Sequence, residues 1–394
     1  MKIVDVAEFY TDQGGGVKTY INQKLQYGSE MGHDIVIVAP GEDWGEEERH
    51  GGRVIWVKGP RLPVDWRYYV LWREKAVHEI LDREQPDIVE GSSPYTSGWF
   101  AGRWKGDAVK TFIFHQDPVA ALIQTFLGSS VGFDRVDKIF GFFWKFLRKL
   151  SRKFDATVVS GEWLAERIDG FGVKNPIAVP FGIDKDFFSP NRRDEKLREK
   201  LLADFGLDKD AKLMIAISRH HPEKRLGTVI DGFIEAAKDE DMALMIFGDG
   251  PISAYVKYKA GKSKLVKLMG FTENRDQLAN ILASSDYFLH GSAAETYGIV
   301  VAEAVCSGLP VIVPERGGAA DIATDKIGVT YKPGDKTACA QAIKEMLKKD
   351  RGEMVEATKV AAEHEIFNME DHFRKLFETY QKLLSGKKVE KQGE

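Results

Sequence analysis

Short apolar runs, each closed by glycine, proline or a polar residue, recur along this 394-residue chain. In the first half they are KIVDVAEF (2–9), DIVIVAP (34–40), RVIWV (53–57), DIVEGSS (87–93) and VKTFIFH (109–115). VKTYINQKLQYGSEMG (17–32) has helical spacing, and a second helix is predicted over about residues 68–84. Runs so short and so uniformly apolar suit strands buried on both faces, which means a parallel sheet covered by helices. The pattern restarts with KLMIAISR (212–219), ALMIFGDG (243–250), VKLMGF (266–271), SDYFLHGS (285–292) and PVIVPE (310–315). Between the two series lies the charged stretch PNRRDEKLREKLLADFGLDKDAK (190–212), which places a boundary near 185–190.

The prediction is an α/β chain of two doubly wound, Rossmann-like domains facing a cleft, residues 1–187 and 188–369. A chain of this length exceeds what one hydrophobic core organises, which agrees with two domains. A helix at about 370–386 follows, and only the last residues, GKKVEKQGE, read as disordered. The net charge of −4 argues against nucleic acid as a partner. The two cysteines, Cys306 and Cys339, belong to no CxxC or Cys/His cluster, so neither a disulfide framework nor a zinc site is expected. The sequence opens directly into a strand and has no long uninterrupted apolar run, so a cytoplasmic location is expected.

In doubly wound sheets ligands bind beyond the carboxyl ends of the strands. Those positions hold glycines and charged groups. Gly14, Gly15 and Gly16 follow the first strand and open a helix, where free N–H groups favour an anion. The spacing is not GxGxxG, which excludes a dinucleotide loop, and a plain tight turn is the competing reading. His115 ends the strand at 109–115; such a histidine is more often structural, but in a cleft it could face a sugar. SRHHPEKRLG (218–227) sets Arg219 and Lys224 around a proline, a cation pair able to share a diphosphate's charge without a metal. A solvated basic loop is the plainer alternative. Gly248 lies in the GDG after the next strand. HGSAAETYGIVVAEAVCSGLPVIV (290–313) carries Glu295 and Glu303 in otherwise small, apolar surroundings. With Glu295 in a loop and Glu303 on the helix opened by Tyr297, Gly298 and Ile299, both carboxylates can reach one ligand at different heights. Carboxylates accept hydrogen bonds from sugar and ribose hydroxyls, and the helix start between them can hold a phosphate.

Together these segments resemble the family 4 retaining glycosyltransferases, of GT-B architecture, over nearly the whole chain. ETYGIVVAE matches the E-x7-E motif, with Tyr297 where phenylalanine is commoner. SRHHPEKRLG resembles GRxxxxKG, with Ser218 for the first glycine and Arg225 for the last. The GGG at 14–16 is similar to the family's N-terminal donor loop. FGIDKDFFSP (181–190) resembles the interdomain link NGVDxxxFxP, and EIFNMEDHFRKLFETYQKL (365–383) the C-terminal helix that crosses back. The resemblance implies an acceptor-side first domain and a second domain that binds a nucleoside-diphosphate sugar. It assigns Arg219 and Lys224 to the diphosphate, Glu303 to the ribose, Glu295 to the hexose and His115 to the reacting carbon's surroundings. It also implies retention of anomeric configuration, with no cofactor and no metal. One departure stands out: where the family often has GGxPE this chain has GGAADI (317–322), with Asp321 at the acid's position and Arg316 just before it.

The acceptor is expected to be a hydroxyl on a lipid, a glycan or a small molecule. FDRVDKIFGFFWKFLRKLSRKFD (133–155) mixes aromatic and basic residues as a helix lying on an anionic membrane does. A covering helix of the fold has the same two-faced pattern. Two other functions fit the architecture: a nucleotide-sugar epimerase or hydrolase, and a sugar-nucleotide-binding protein without catalysis. The paired glutamates argue against the first, and the intact Arg219, Lys224, Glu295 and Glu303 against the second.

Overall fold

The computed structural model describes residues 1–13, 15–63 and 65–393; Gly14, one of the three glycines singled out above, lies outside the described residues. In the first half β1 (Lys2–Val6), β2 (Asp34–Gly41), β3 (Gly45–Arg49), β4 (Gly52–Lys58), β5 (Ile88–Gly91), β6 (Val109–Ile113), β7 (Ala156–Val159) and β8 (Pro176–Ala178) form one sheet, in the order β3-β4-β2-β1-β5-β6-β7-β8. Every pairing is parallel except β3 with β4. The exception is the charged edge strand GEEER, whose glutamates face solvent and discourage further pairing.

The second half builds β9 (Lys212–Ile217), β10 (Met242–Phe247), β11 (Val266–Gly270), β12 (Tyr287–Leu289), β13 (Val311–Pro314) and β14 (Gly328–Tyr331) into an all-parallel sheet, in the order β11-β10-β9-β12-β13-β14. Central strands are buried on both faces, with Val4, Val36, Ile37, Met214, Ile215 and Ile246 fully buried. Each sheet therefore carries two hydrophobic clusters, one per face. The two α/β units with Rossmann-like parallel sheets are the architecture expected from the pattern.

Several local expectations are corrected. The helix placed at 68–84 begins only at Glu74. The run SDYFLHGS contributes only Tyr287–Leu289 as a strand; at its two ends the Asp286 side chain pairs with Arg198 (2.6 Å) and the His290 ring lies 3.3 Å from Glu295. The stretch 133–155 is not one helix but two, Phe133–Ile139 and Gly141–Ser151, broken at Phe140. The tail GKKVEKQGE, expected to be disordered, continues as far as Gly393 in a single helix, Met369–Gly393, and Glu394 lies outside the described residues. That helix packs Phe373, Leu376, Phe377 and Tyr380 into the core of the first sheet together with Ile3, Ile35 and Val109.

The chain passes between the sheets twice, at the same place. Ile183 donates its backbone N–H to Phe367 O (2.8 Å), and a Cβ on Gly182 would lie 2.4 Å from Asn368 O, so only glycine allows the two segments to touch. His372 bridges Pro180 O (2.7 Å) and the Tyr20 hydroxyl (3.1 Å), fixing the returning helix to the first domain. Phe181, Ile183, Phe187 and Phe188 pack instead on the core of the second sheet.

Candidate functional site

Strand order reverses between β9 and β12 in the second sheet, and at such a switch point the loops at the carboxyl ends diverge and leave a crevice. A cavity of about 440 Å³ lies there. Its walls include Arg219, Lys224, Gly248, Glu295, Tyr297, Gly298, Ile299 and Glu303. Eight of the residues singled out from the sequence are thus brought together. Gly15, Gly16 and His115 are not among its walls.

Glycine makes the floor possible. Gly248 has φ +128°, and a Cβ there would stand 1.9 Å from Ser218 O, so the loops after β9 and β10 touch only because this side chain is missing. Gly298 has φ +97° and caps the helix Ile299–Cys306, turning the chain from the loop of Glu295 into that helix. The first N–H groups of that helix have no partner within it. Gly318 N donates to Glu295 O (2.7 Å), so the GG after β13 cradles the same loop.

The Lys224 ammonium lies 2.6 Å from Glu295 Oε1 and 3.4 Å from Glu223 Oε1. Burial works against this ammonium, yet Glu295 and Glu223 outweigh it and raise its pKa above the usual lysine value. Burial alone would likewise raise the Glu295 carboxyl. Lys224 and the His290 ring, 3.3 Å away, prevail and hold it well below the usual carboxylate range. Glu303 has no such partner. Burial pushes it up to about 7, against a small opposing pull from Arg275. The two glutamates therefore differ in kind: one is fixed as an anion, the other is poised to gain or lose a proton near neutral pH.

Arg219 reaches toward Glu223 (3.5 Å) with its side chain 79% exposed, free to swing onto a ligand in the cavity. His115 sits across the cleft. Its carbonyl accepts from the Thr296 hydroxyl (2.9 Å), and its ring lies 4.8 Å from that of Phe181, a wall residue. Burial lowers the His115 imidazole to about 3, and both ring nitrogens are buried without a hydrogen-bond partner. It is a neutral ring with unspent donor and acceptor capacity beside the site. Gly15 caps the helix Gly16–Glu30, and nothing within 4 Å would obstruct a Cβ at Gly15 or Gly16, so close packing does not demand glycine there.

Asp321 points away from the cavity. It accepts from Trp163 N (2.8 Å) and so caps the first-domain helix Glu162–Asp169 across the cleft. Sequence reasoning missed Phe181, His290 and Phe271. The signal for His290 and Phe271 was present, since both immediately follow a strand, but imidazole and phenyl groups there read as core. No cluster of three or more His, Cys, Asp or Glu residues able to hold a metal ion occurs among the described residues.

Residues 14–187 match the profile described as Glycosyltransferase Family 4, and residues 198–364 that described as Glycosyl transferases group 1. A GDP-mannose-dependent alpha-(1-6)-phosphatidylinositol dimannoside mannosyltransferase of Mycobacterium tuberculosis is 26% identical over 335 residues, 83% of each chain. A sulfoquinovosyl transferase of Arabidopsis thaliana is 27% identical over 352 residues, 84% of this chain and 64% of that one. Sucrose-phosphate synthase of Thermosynechococcus elongatus superposes with a TM-score of 0.73 at 16% identity, over 98% of this chain and 100% of that one, a likeness of fold.

Proposed function

The chain belongs to the family 4 glycosyltransferases, and on that premise we propose that it moves a hexose from a nucleoside-diphosphate sugar to a hydroxyl acceptor, with retention at the anomeric carbon and without a metal ion. The observation that carries this reading is the pairing of Lys224 with Glu295 at one end of the switch-point cavity and the unpaired Glu303 at the other. That spacing of cation, helix start and carboxyl suits a diphosphate between a hexose and a ribose.

In this reading Arg219 and Lys224 take the charge of the diphosphate, and the N–H groups opening the helix Ile299–Cys306 share it. Glu303 accepts from the ribose hydroxyls. Glu295, kept ionised by Lys224, accepts from the hexose. As the bond from the anomeric carbon to the phosphate oxygen breaks, negative charge collects on the leaving diphosphate. Its stabilisation by Arg219 and Lys224 is the main electrostatic contribution of the site. The acceptor oxygen bonds to the same face of the anomeric carbon, and its proton passes to the leaving phosphate oxygen. His115, neutral and unpartnered, accepts from or donates to a sugar hydroxyl without adding charge. The alternative, an epimerase or hydrolase, needs no acceptor.

The test is turnover of GDP-, UDP- and ADP-hexoses with and without EDTA, and with and without an acceptor pool of lipids and oligosaccharides. Sugar transfer that depends on acceptor and survives EDTA is expected. Donor consumption that ignores acceptor would favour the epimerase or hydrolase.

A lipid acceptor is favoured by the surface beside the cleft. The outer side of the two helices within 133–155 exposes Ile139 (64%) and Phe142 (67%) among Arg135, Lys138, Lys145 and Lys149, while Trp144, Leu147 and Leu150 are buried inward. Phe126 (64%) and Leu127 (42%) of the preceding helix are exposed as well. Apolar tips set in a basic field are the arrangement by which a protein rests on an anionic bilayer. No helix among the described residues is long and apolar enough to cross one. Co-sedimentation with vesicles holding anionic lipid is expected and should drop on substitution of Phe126, Ile139 and Phe142 by serine. Absence of binding at low salt would remove the membrane from the proposal.

A further inference from the structure

Two arginines of the second domain converge on one point of the first. Arg225 follows Lys224 and holds a left-handed backbone (φ +46°); its Nη2 donates to Gln124 O (3.2 Å). Arg316 precedes Gly317, and its Nη2 donates to the Gln124 side-chain oxygen (3.1 Å). Both guanidinium groups also lie over the ring of Phe133, at 5.8 Å and 4.3 Å from its centroid. Neither makes an ion pair among the described residues. Their neighbour Arg167, by contrast, is matched to Asp117 (2.5 Å) and Asp137 (2.8 Å).

Arg225 Nη1 and Arg316 Nε are buried with no hydrogen-bond partner. Burial lowers the pKa of both groups, Arg316 to about 10. A buried charged donor left unsatisfied is costly, and here two stand side by side. A guanidinium pair with donors to spare is complementary to one oxyanion. The position is informative: Arg225 adjoins the Lys224 loop, Arg316 adjoins the glycines that hold the Glu295 loop, and both face the helices that follow His115. That is the acceptor's side of the site, on the reading that the cavity holds the donor.

We propose that Arg225 and Arg316 form a phosphate-recognition subsite, so that the acceptor is a phosphate ester whose hydroxyl is presented to the donor while its phosphate is gripped across the cleft. The two guanidinium groups meet at Gln124, which offers them two neutral oxygens, one from the backbone and one from the side chain.

The experiment titrates the full chain with glycerol 3-phosphate and with glycerol, in the presence and absence of saturating nucleoside diphosphate, which occupies the Arg219 and Lys224 end. Flotation with phosphatidylcholine vesicles, with and without phosphatidylinositol, forms a second arm. Phosphate-dependent binding that persists with nucleotide is expected. Arg225→Gln and Arg316→Gln should each weaken it about tenfold or more. Arg316→Lys should lose less, and nucleotide affinity should stay within about threefold of the parent. Binding of the soluble ester assigns the phosphate to a free metabolite; binding of the vesicles alone assigns it to a lipid headgroup. Gln124→Ala, which leaves both arginines in place, should bind phosphate as well as or better than the parent. If no phosphate binds in either arm, or the arginine variants bind like the parent, the pair is only a contact between domains and the proposal falls. Failure of nucleotide to bind would count against the transferase reading, and the arginine variants would still decide the phosphate site in its absence.

Discussion

Glu295 and Glu303 stand eight positions apart, and the fold treats them oppositely. The first is held by the Lys224 ammonium and stays ionised; burial with little compensation pushes the second up to about 7. If ribose hydroxyls donate to Glu303, they favour its ionised form, so donor binding releases a proton whenever the free carboxyl is protonated. The sign follows: donor affinity is constant above pH 7 and weakens below it, by up to about tenfold per pH unit. Calorimetric titration of the productive nucleotide between pH 5.5 and 8.5 checks this, and Glu303→Gln should flatten the profile. Because hydrogen bonds to a charged acceptor are worth about 1.5–3 kcal/mol, Glu303→Ala should raise the donor KM roughly 10- to 100-fold. Lys224→Ala should cost more in turnover than in binding, about 100-fold or more in kcat, since it acts on charge that develops as the leaving group departs. Most of these residues could be named from the sequence, because motif and strand-end position coincide at Arg219, Lys224, Glu295 and Glu303. Their protonation could not, because it depends on His290, Arg275 and the depth of burial, which are properties of the packed cavity.

At the scale of elements, the site exists because three loops at the ends of β9, β10 and β12 come within backbone contact of one another. Gly248 is the tightest of these contacts. Gly248→Ala has to part the β9 and β10 loops and also place alanine at a strongly positive φ. It should destabilise by about 1–3 kcal/mol and lower nucleotide affinity. Thermal unfolding with and without nucleotide separates the two effects, and an unchanged midpoint in both would contradict the contact. Central strands were legible because burial on both faces leaves continuous apolar runs. β3 was not, because its glutamates serve an edge rather than a core. β7, β8 and β14 are only 3–4 residues each and carry too little pattern. The break at Phe140 was hidden for a different reason: a basic, aromatic run looks the same whether one long helix or two short ones divide it between core and surface.

At the scale of the whole molecule, the helix Met369–Gly393 makes the first domain depend on the far end of the chain. Truncation after Asn368 removes Phe373, Leu376, Phe377 and Tyr380 from one core. At about 3–5 kcal/mol for each large aromatic lost, this exceeds the usual stability of a domain, so the first domain should not fold. Truncation after Leu384 removes only peripheral contacts such as Lys387 with Ala108 O (2.7 Å) and Asp155 (3.7 Å), and should cost no more than about 1 kcal/mol. Circular dichroism melts of the two truncations distinguish these outcomes. The return of the helix was legible from EIFNMEDHFRKLFETYQKL, whereas its continuation to Gly393 was not, since lysine and glutamate runs suit a solvated helix and an unstructured tail equally. The paired crossings at Ile183 and Phe367 have a consequence for the chain as a thread. A single protease cut in the partly exposed stretch at 191–196 would sever one connection and leave the other, so the two pieces would migrate apart on a denaturing gel and still elute together from a sizing column. The protein is two domains by architecture and one by connectivity: the second half stays attached to the first while its last helix remains docked there.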